Sequence, residues 1–127
     1  MTKILLVGLG GGLGAIARYF LSAYVQHLTP TAPFPLGTLV VNVLGCLMIG
    51  LLAYLADLRN LFTPELRLLA FTGFLGGFTT FSTFGNETTL LLAEGKNGSA
   101  LANVSLHIGL GLGAVWAGRT LAALLWR

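Results

Sequence analysis

Charged residues are scarce in this chain of 127 residues. They make up 9% of it, against about a quarter of a soluble globular domain. Only four residues are acidic, and three stretches carry no charge at all (36–56, 68–86 and 104–118). These stretches approach the roughly 20 apolar residues needed to cross the hydrocarbon core of a bilayer. The shortage of charge excludes an ordinary water-soluble domain and predicts a membrane protein.

Clusters of basic residues and pairs of cysteines are also missing. The seven basic residues are scattered along the chain, so no surface is predicted to follow a nucleic-acid backbone. Cys46 is the only cysteine, which excludes an intrachain disulfide and a metal site built from cysteines. The sequence also offers no nucleophile, base and orienting group at one depth, so we expect no enzymatic activity.

The apolar stretches divide into four predicted membrane helices. The segment 27–35 holds three prolines and cannot continue a helix, whereas Thr63-Pro64 is typical of a helix start. The predicted fold is an all-α membrane protein with one domain, residues 1–127, and spans at about 4–26, 37–56, 64–93 and 100–125. Both termini then lie on one side. Five basic residues at that side against two at the other favour cytoplasmic termini; the five are Lys3, Arg59, Arg67, Arg119 and Arg127.

Several of the 18 glycines are spaced four residues apart. This spacing lets membrane helices approach closely, so we interpret most of the glycines as helix-packing positions. The pairs are Gly8 with Gly12, Gly10 with Gly14, Gly73 with Gly77, and Gly109 with Gly113.

The third predicted span contains poor helix formers near its middle. Gly76 and Gly77 are followed by Phe78, Thr79 and Thr80; glycine is unfavourable in a helix by about 1 kcal/mol, and threonine is conformationally stiff. A break over residues 76–80 would free backbone carbonyls in mid-membrane, where they can ligate a hard cation. The alternative is a continuous helix whose threonines bond back to their own turn. Both possibilities stay open on these residues.

Aromatic rings and hydroxyl groups follow the expected break. Phe81 and Phe84 are three residues apart and share one helix face, and the edges of aromatic rings carry positive partial charge. Thr80, Ser82 and Thr83 add hydroxyl groups beside the rings. Packed or lipid-facing phenylalanines are the ordinary alternative. Because carboxylates are nearly absent from the spans, the polar groups favour an anion over a cation or a proton pathway.

Two other spans carry amide or imidazole groups. Asn42 lies on the second span in a stripe with Thr38 and Cys46, and Asn103 lies four residues before His107 on the fourth. A primary amide in lipid is costly unless it bonds across helices or faces a pathway. Hydrogen bonding between helices remains an alternative for both spans.

Three segments of the chain resemble the Fluc family of fluoride channels: GGGLGAIARY (10–19), GTLVVNVLGC (37–46) and GFLGGFTTFSTF (73–84). The resemblance extends over essentially the whole chain. It implies a multi-pass protein of the cell (inner or plasma) membrane that inserts in both orientations and assembles as an antiparallel homodimer with two anion pathways. The implied function is passive export of fluoride from the cytoplasm. The bias in basic residues is stronger than insertion in both orientations favours.

The resemblance also implies roles for individual residues. Asn42 matches the pore asparagine, and Phe81 and Phe84 match the rings that face fluoride. The backbone carbonyls of Gly76 and Thr79 match those that hold a central structural Na⁺, two from each subunit. The other implied positions are the polar groups beside the pathway at Thr38, Ser82 and Thr83, the first-span arginine Arg18, the acid Glu87 near the pore end, and the fourth-span position His107.

Two other functions fit a small protein with four spans. One is a small multidrug-type, proton-coupled antiporter, which requires a membrane carboxylate that the first span lacks. The other is a non-transporting membrane subunit whose glycine faces dock a partner protein. Flux of fluoride from purified protein distinguishes the channel from both.

Overall fold

The computed structural model describes residues 1–59 and 62–126, with the side chains of all of these except Leu58 and Arg59. It contains only helices in these ranges: α1 (Thr2–Leu28), α2 (Leu36–Arg59), α3 (Pro64–Arg67), a π-helical segment (Leu68–Leu75), α4 (Gly76–Phe78), α5 (Phe81–Ala93) and α6 (Asn97–Leu125). Two basic groups counted in the predicted charge bias, the Arg59 side chain and Arg127, lie outside the described residues.

Four spans in the structure are long and apolar enough to cross a membrane: Thr2–Leu28, Leu36–Asp57, Pro64–Ala93 and Asn97–Leu125. The all-helical fold with four such spans is therefore confirmed. The first and fourth spans are slightly longer than the sequence predicted, because the polar residues at their ends continue the helix.

Local chemistry explains where the helices start and stop. Pro64 takes the first position of α3, and Thr63 precedes it as the capping residue, accepting a hydrogen bond from the Leu66 N–H over 3.2 Å. Between α5 and α6 the chain turns at Gly95, whose φ of 73° lies in the left-handed region that glycine tolerates best.

The third span changes its helix type along its length. The segments α3, Leu68–Leu75 and α4 follow one another without interruption over residues 64–78. The middle segment is π-helical over eight residues, which is long for a helix type that is rare and often found at functional sites. The sequence does not predict this segment.

Close contact between α1 and residues 64–78 depends on glycine. A methyl group added at Gly14 would collide with the carbonyl oxygen of Phe74 and lie 2.8 Å from the Phe78 nitrogen, and one added at Gly77 would collide with the Gly11 carbonyl. One added at Gly10 would collide with the Leu69 carbonyl oxygen, and methyl groups added at Gly10 and Gly73 would each lie 3.0 Å from the other residue's Cα. The predicted packing role is thus confirmed for these glycines. A methyl group at Gly8, Gly12, Gly109 or Gly113 would meet nothing within 4 Å in the chain.

A second close contact joins α2 to α6. A Cβ atom at Gly118 would collide with the Leu47 carbonyl oxygen, and one at Gly50 with that of Val115. The interior is small. Val41 and Asn103 are the largest fully buried side chains among the described residues, whereas large apolar residues such as Trp116, which is 72% exposed, face outward. An apolar exterior is what a protein solvated by lipid tails requires.

Candidate functional site

Helical geometry stops at two residues in the middle of the third span. Thr79 (φ −84°, ψ 156°) and Thr80 (φ −150°, ψ 111°) are both extended. The sequence predicted a break over residues 76–80; in the structure Gly76–Phe78 is still helical, so the extended part is shorter. Thr80 then caps α5, since its Oγ1 accepts a hydrogen bond from the Thr83 N–H over 3.2 Å.

Asn42 from α2 bonds to both backbone groups of Thr80. Its Oδ1 accepts a hydrogen bond from the Thr80 N–H over 2.8 Å, and its Nδ2 donates to the Thr80 carbonyl over 3.1 Å. The side chain therefore replaces two backbone partners that a continuous helix would supply, and such replacement is essential where no water reaches. One N–H of the amide is left for another acceptor, because Nδ2 carries two hydrogens.

The extended residues also change the partners of two carbonyls. In a continuous α-helix, the Gly76 carbonyl accepts from the Thr80 N–H and the Thr79 carbonyl accepts from the Thr83 N–H. Here those N–H groups donate to Asn42 Oδ1 and to Thr80 Oγ1. The carbonyls of Gly76 and Thr79 therefore lose their usual helical partners, so their lone pairs can coordinate a cation.

Arg18 from α1 bonds to the last turn before the break. Its Nε donates to the Gly77 carbonyl over 3.1 Å, and in a continuous helix that carbonyl would accept from the N–H of Phe81. The bond ties the middle of α1 to the third span and places the guanidinium half-buried beside the break.

A groove of about 770 Å³ lies between α2, the third span and α6; we call it the Asn42 groove. Its wall includes Asn42 together with Phe81 and Phe84, whose ring centroids are 5.5 Å apart. The Phe84 ring lies 4.4 Å from that of His107. Phe81 is 82% exposed, so the groove is open on the side of this ring.

His107 presents an acceptor to the Asn42 groove when its ring is neutral. Its Nδ1 lies 2.9 Å from the Asn103 carbonyl; a carbonyl only accepts, so the hydrogen bond assigns the proton to Nδ1. Nε2 is then a lone-pair acceptor, and it is buried without a partner among the described residues. An imidazolium ring would instead carry a donor at Nε2.

The remaining candidates line a second groove of about 650 Å³, which we call the Glu87 groove. Arg18, Thr38, Thr83 and Glu87 contribute to its wall, and Thr38 Oγ1 donates to Glu87 Oε1 over 2.7 Å. Thr80 lines both grooves. Ser82 is exposed, and its hydroxyl lies 3.4 Å from Thr80 Oγ1. One chain thus divides the candidates between two grooves that meet at the break.

Asn103 and Thr88 form a polar pair, buried at Asn103 and half-buried at Thr88, that the sequence did not single out as a site. Asn103 is fully buried, and its Nδ2 donates to Thr88 Oγ1 over 3.0 Å. Thr88 and His107 both line the Asn42 groove. The available signal was spacing, since Thr88 lies one turn after Phe84 and Asn103 one turn before His107.

Four apolar spans, a third span that is interrupted, and two grooves that meet at the interruption define a multi-pass membrane protein. The family model described as "CrcB-like protein, Camphor Resistance (CrcB)" matches residues 5–119. The chain therefore belongs to the CrcB family.

Relatives of similar length are named as fluoride-specific ion channels. The chain is 48% identical over 118 residues to the "Fluoride-specific ion channel FluC" of Methylobacillus flagellatus, covering 93% of this chain and 92% of the relative. It is 46% identical over 121 residues to the protein of that name from Shewanella sp. (strain W3-18-1), covering 95% and 96%. The Geobacter sulfurreducens protein of the same name is 48% identical over 118 residues, covering 93% and 94%. An ion channel is not an enzyme class.

Proposed function

We propose that this protein is a passive, fluoride-selective channel that exports fluoride from the cytoplasm across the cell (inner or plasma) membrane. Membership of a family whose relatives are named fluoride-specific ion channels supports this proposal. The observation that carries it is the Asn42–Thr80 pairing. The pairing keeps the Asn42 amide at the break in the middle of the third span. The Phe81 and Phe84 rings line the same groove.

The chemistry of the Asn42 groove suits a small anion. The free N–H of Asn42 and the edges of the Phe81 and Phe84 rings are positive, and none of the described residues that line this groove is a carboxylate. Fluoride gives up a tightly held hydration shell only where such groups replace it. A series of weak contacts also lets the ion leave again, which conduction requires. A neutral His107 offers no donor, so we propose that it takes part through a water molecule or as imidazolium.

The Glu87 groove extends the proposed pathway to the other side of the break. Thr83 supplies a hydroxyl donor there and Arg18 supplies positive charge, whereas the one hydroxyl hydrogen of Thr38 is already used. Thr38 donates to Glu87, and this bond holds the carboxylate at the wall. We propose that this groove is the end of the pathway, where an anion exchanges water for hydroxyl groups, and that Ser82 joins the hydroxyl series at the break.

A second copy of the chain is needed to close the pathway. The Asn42 groove is open beside the exposed ring of Phe81, and an anion there would meet lipid on one side. We propose that an antiparallel copy covers it, which gives two equivalent pathways for each dimer. The rest of the apolar exterior would contact membrane lipid.

A structural Na⁺ fits the freed carbonyls at the break. Oxygen atoms are the ligands that hard cations prefer, and the carbonyls of Gly76 and Thr79 have lost their usual helical partners. We propose that these carbonyls from both subunits hold Na⁺ at the dimer centre. When bound, the ion would compensate the partial negative charge that converges there and so fix the two breaks relative to each other.

Fluoride efflux from proteoliposomes tests the proposal directly. Purified protein in vesicles loaded with equal fluoride and chloride should release fluoride much faster than chloride, without a proton gradient. Protein-free vesicles are the control. Release at the rate of those vesicles, or equal release of both halides, would contradict it. Uptake of a lipophilic cation driven by pH would support an antiporter instead, and flux that needs a copurified second protein would support a non-transporting subunit.

A further inference from the structure

A third groove, of about 480 Å³, lies at the end of the spans near the N-terminus; we call it the Lys3 groove. It lies between the start of α1, the end of α2 and the start of the third span. Its apolar lining is formed by Ala53, Ala56, Leu68, Phe71 and the ring of Pro64, and its polar lining by Lys3, Asp57, Arg67 and Thr72. Phe71 also lines the Asn42 groove. The residues of the break and the side chains assigned to the proposed anion pathway do not line the Lys3 groove in the described part of the chain.

The two basic residues of this groove keep their charge uncompensated within the described part of the chain. Among the described residues, the ion pairs join Lys96 to Glu94 over 2.7 Å, away from this groove, and Arg119 to Asp57 over 3.7 Å. Asp57, the one acid of the groove, is thus offset by a cation that does not line it. Lys3 and Arg67 belong to neither pair, so the groove carries an excess of positive charge.

Arg67 is held in place by a neutral partner. Its Nη2 donates to the Ala56 carbonyl in the last turns of α2 over 2.9 Å. The bond fixes the guanidinium against the groove wall, and no described acidic side chain pairs with its positive charge. Guanidinium has five N–H donors, so others are left for a ligand, and the planar group is suited to phosphate oxygens.

We propose that the Lys3 groove binds the headgroup of an anionic phospholipid, with the phosphate between Lys3 and Arg67 and the first part of an acyl chain along Leu68 and Phe71. The groove lies where spans begin and end, at Lys3 of α1, Asp57 of α2 and Arg67 of α3. This is the depth at which lipid phosphates lie, and basic residues there attract anionic lipid. An apolar floor favours a lipid over free phosphate, which gains nothing from covering Phe71.

Native mass spectrometry of the detergent-solubilised full chain, titrated with phosphatidylglycerol or phosphatidylcholine, tests this site. Each basic residue near an anionic membrane surface contributes enough binding free energy to change an affinity about fivefold. The affinity for phosphatidylglycerol should therefore fall about fivefold in Lys3→Gln or Arg67→Gln and about 25-fold in the double variant. Asp57→Asn should bind it more tightly, because a repulsive charge is removed. That increase is not expected from a purely structural role.

Lys96→Gln is the matched control, because Lys96 lies at the opposite end of the spans and has its own acidic partner, Glu94. It should bind phosphatidylglycerol as the wild type does. Equal binding of phosphatidylcholine by the wild type, or an unchanged affinity in the double variant, would overturn the proposal. Displacement of the lipid by an equal concentration of inorganic phosphate would assign the groove to free phosphate instead. The fluoride flux of the double variant in neutral lipid should stay at the wild-type rate, so this test is independent of channel function.

Discussion

Replacing Asn42 with aspartate tests the link between the break and the proposed anion pathway. The two side chains have nearly the same shape, so Asn42→Asp can still accept a hydrogen bond from the Thr80 N–H. It can no longer donate to the Thr80 carbonyl, which now lies 3.1 Å from Asn42 Nδ2. Leaving one half-buried backbone acceptor unpaired costs about 1–3 kcal/mol.

The added charge has the larger effect on conduction. Two negative charges 4 Å apart repel each other by about 4 kcal/mol at an effective dielectric constant of about 20. If fluoride passes the amide at that distance, this adds to its barrier and slows flux about 1000-fold, since each 1.36 kcal/mol corresponds to a factor of about ten in rate. Fluoride efflux from proteoliposomes, followed with a fluoride electrode, measures the change.

Two further variants separate charge from folding. Asn42→Ala leaves both backbone groups of Thr80 unpaired, at about 2–6 kcal/mol by the same estimate, and should lower the melting temperature in detergent more than Asn42→Asp does. Cys46→Ser, one turn further along α2 in the same groove, adds no charge and should keep flux near the wild-type rate. Wild-type fluoride flux in Asn42→Asp would remove this residue from the pathway.

Ring edges, glycine packing and the protonation of His107 can each be tested by substitution. Phe81→Ile and Phe84→Ile should each abolish or severely reduce fluoride flux, because the ring edges are lost although most of the side-chain volume is kept. Size-exclusion chromatography should still show the wild-type assembly. Retained flux in both variants would contradict the ring-edge role. Gly14→Ala should lower the melting temperature or prevent folding, since overpacking costs about 1–3 kcal/mol or more, whereas Gly98→Ala has open space and should not; equal melting temperatures would argue against the close contact. Lowering the pH should raise the wild-type flux, measured after subtraction of the protein-free background, because an imidazolium at His107 donates from Nε2. His107→Gln has an amide donor at every pH and should show no such rise. An equal rise in both proteins would refute this role.

Much of the helical framework could be predicted from composition and from the residues that start or end helices. Local signals placed the spans to within a few residues: the uncharged stretches, the prolines of segment 27–35 and the helix start at Thr63-Pro64. The extent of the break could not be placed so well. Gly76 and Gly77 are poor helix formers alone, yet they stay helical because Gly77 packs directly on the backbone of Gly11, a contact that no local propensity contains.

The partners of the candidate side chains were equally hidden. The sequence indicated that Asn42 must bond across helices or face a pathway. In the structure its amide bonds to both the N–H and the carbonyl of Thr80, and one N–H of Nδ2 remains for another acceptor. Nor did spacing show that Thr38 and Glu87 face a different groove from Phe81. Helix rotation and register decide this, and both depend on contacts between residues far apart in the chain.

The glycine contacts between α1 and residues 64–78 also limit where an ion can go. No space is left there for even a methyl group at Gly10, Gly14 or Gly77, so the two spans leave no gap for an ion or a water molecule at these positions. Leakage between these two spans is blocked by backbone pressed on backbone, without bulky side chains. Substituting these glycines should therefore push the two spans apart as well as loosen the fold.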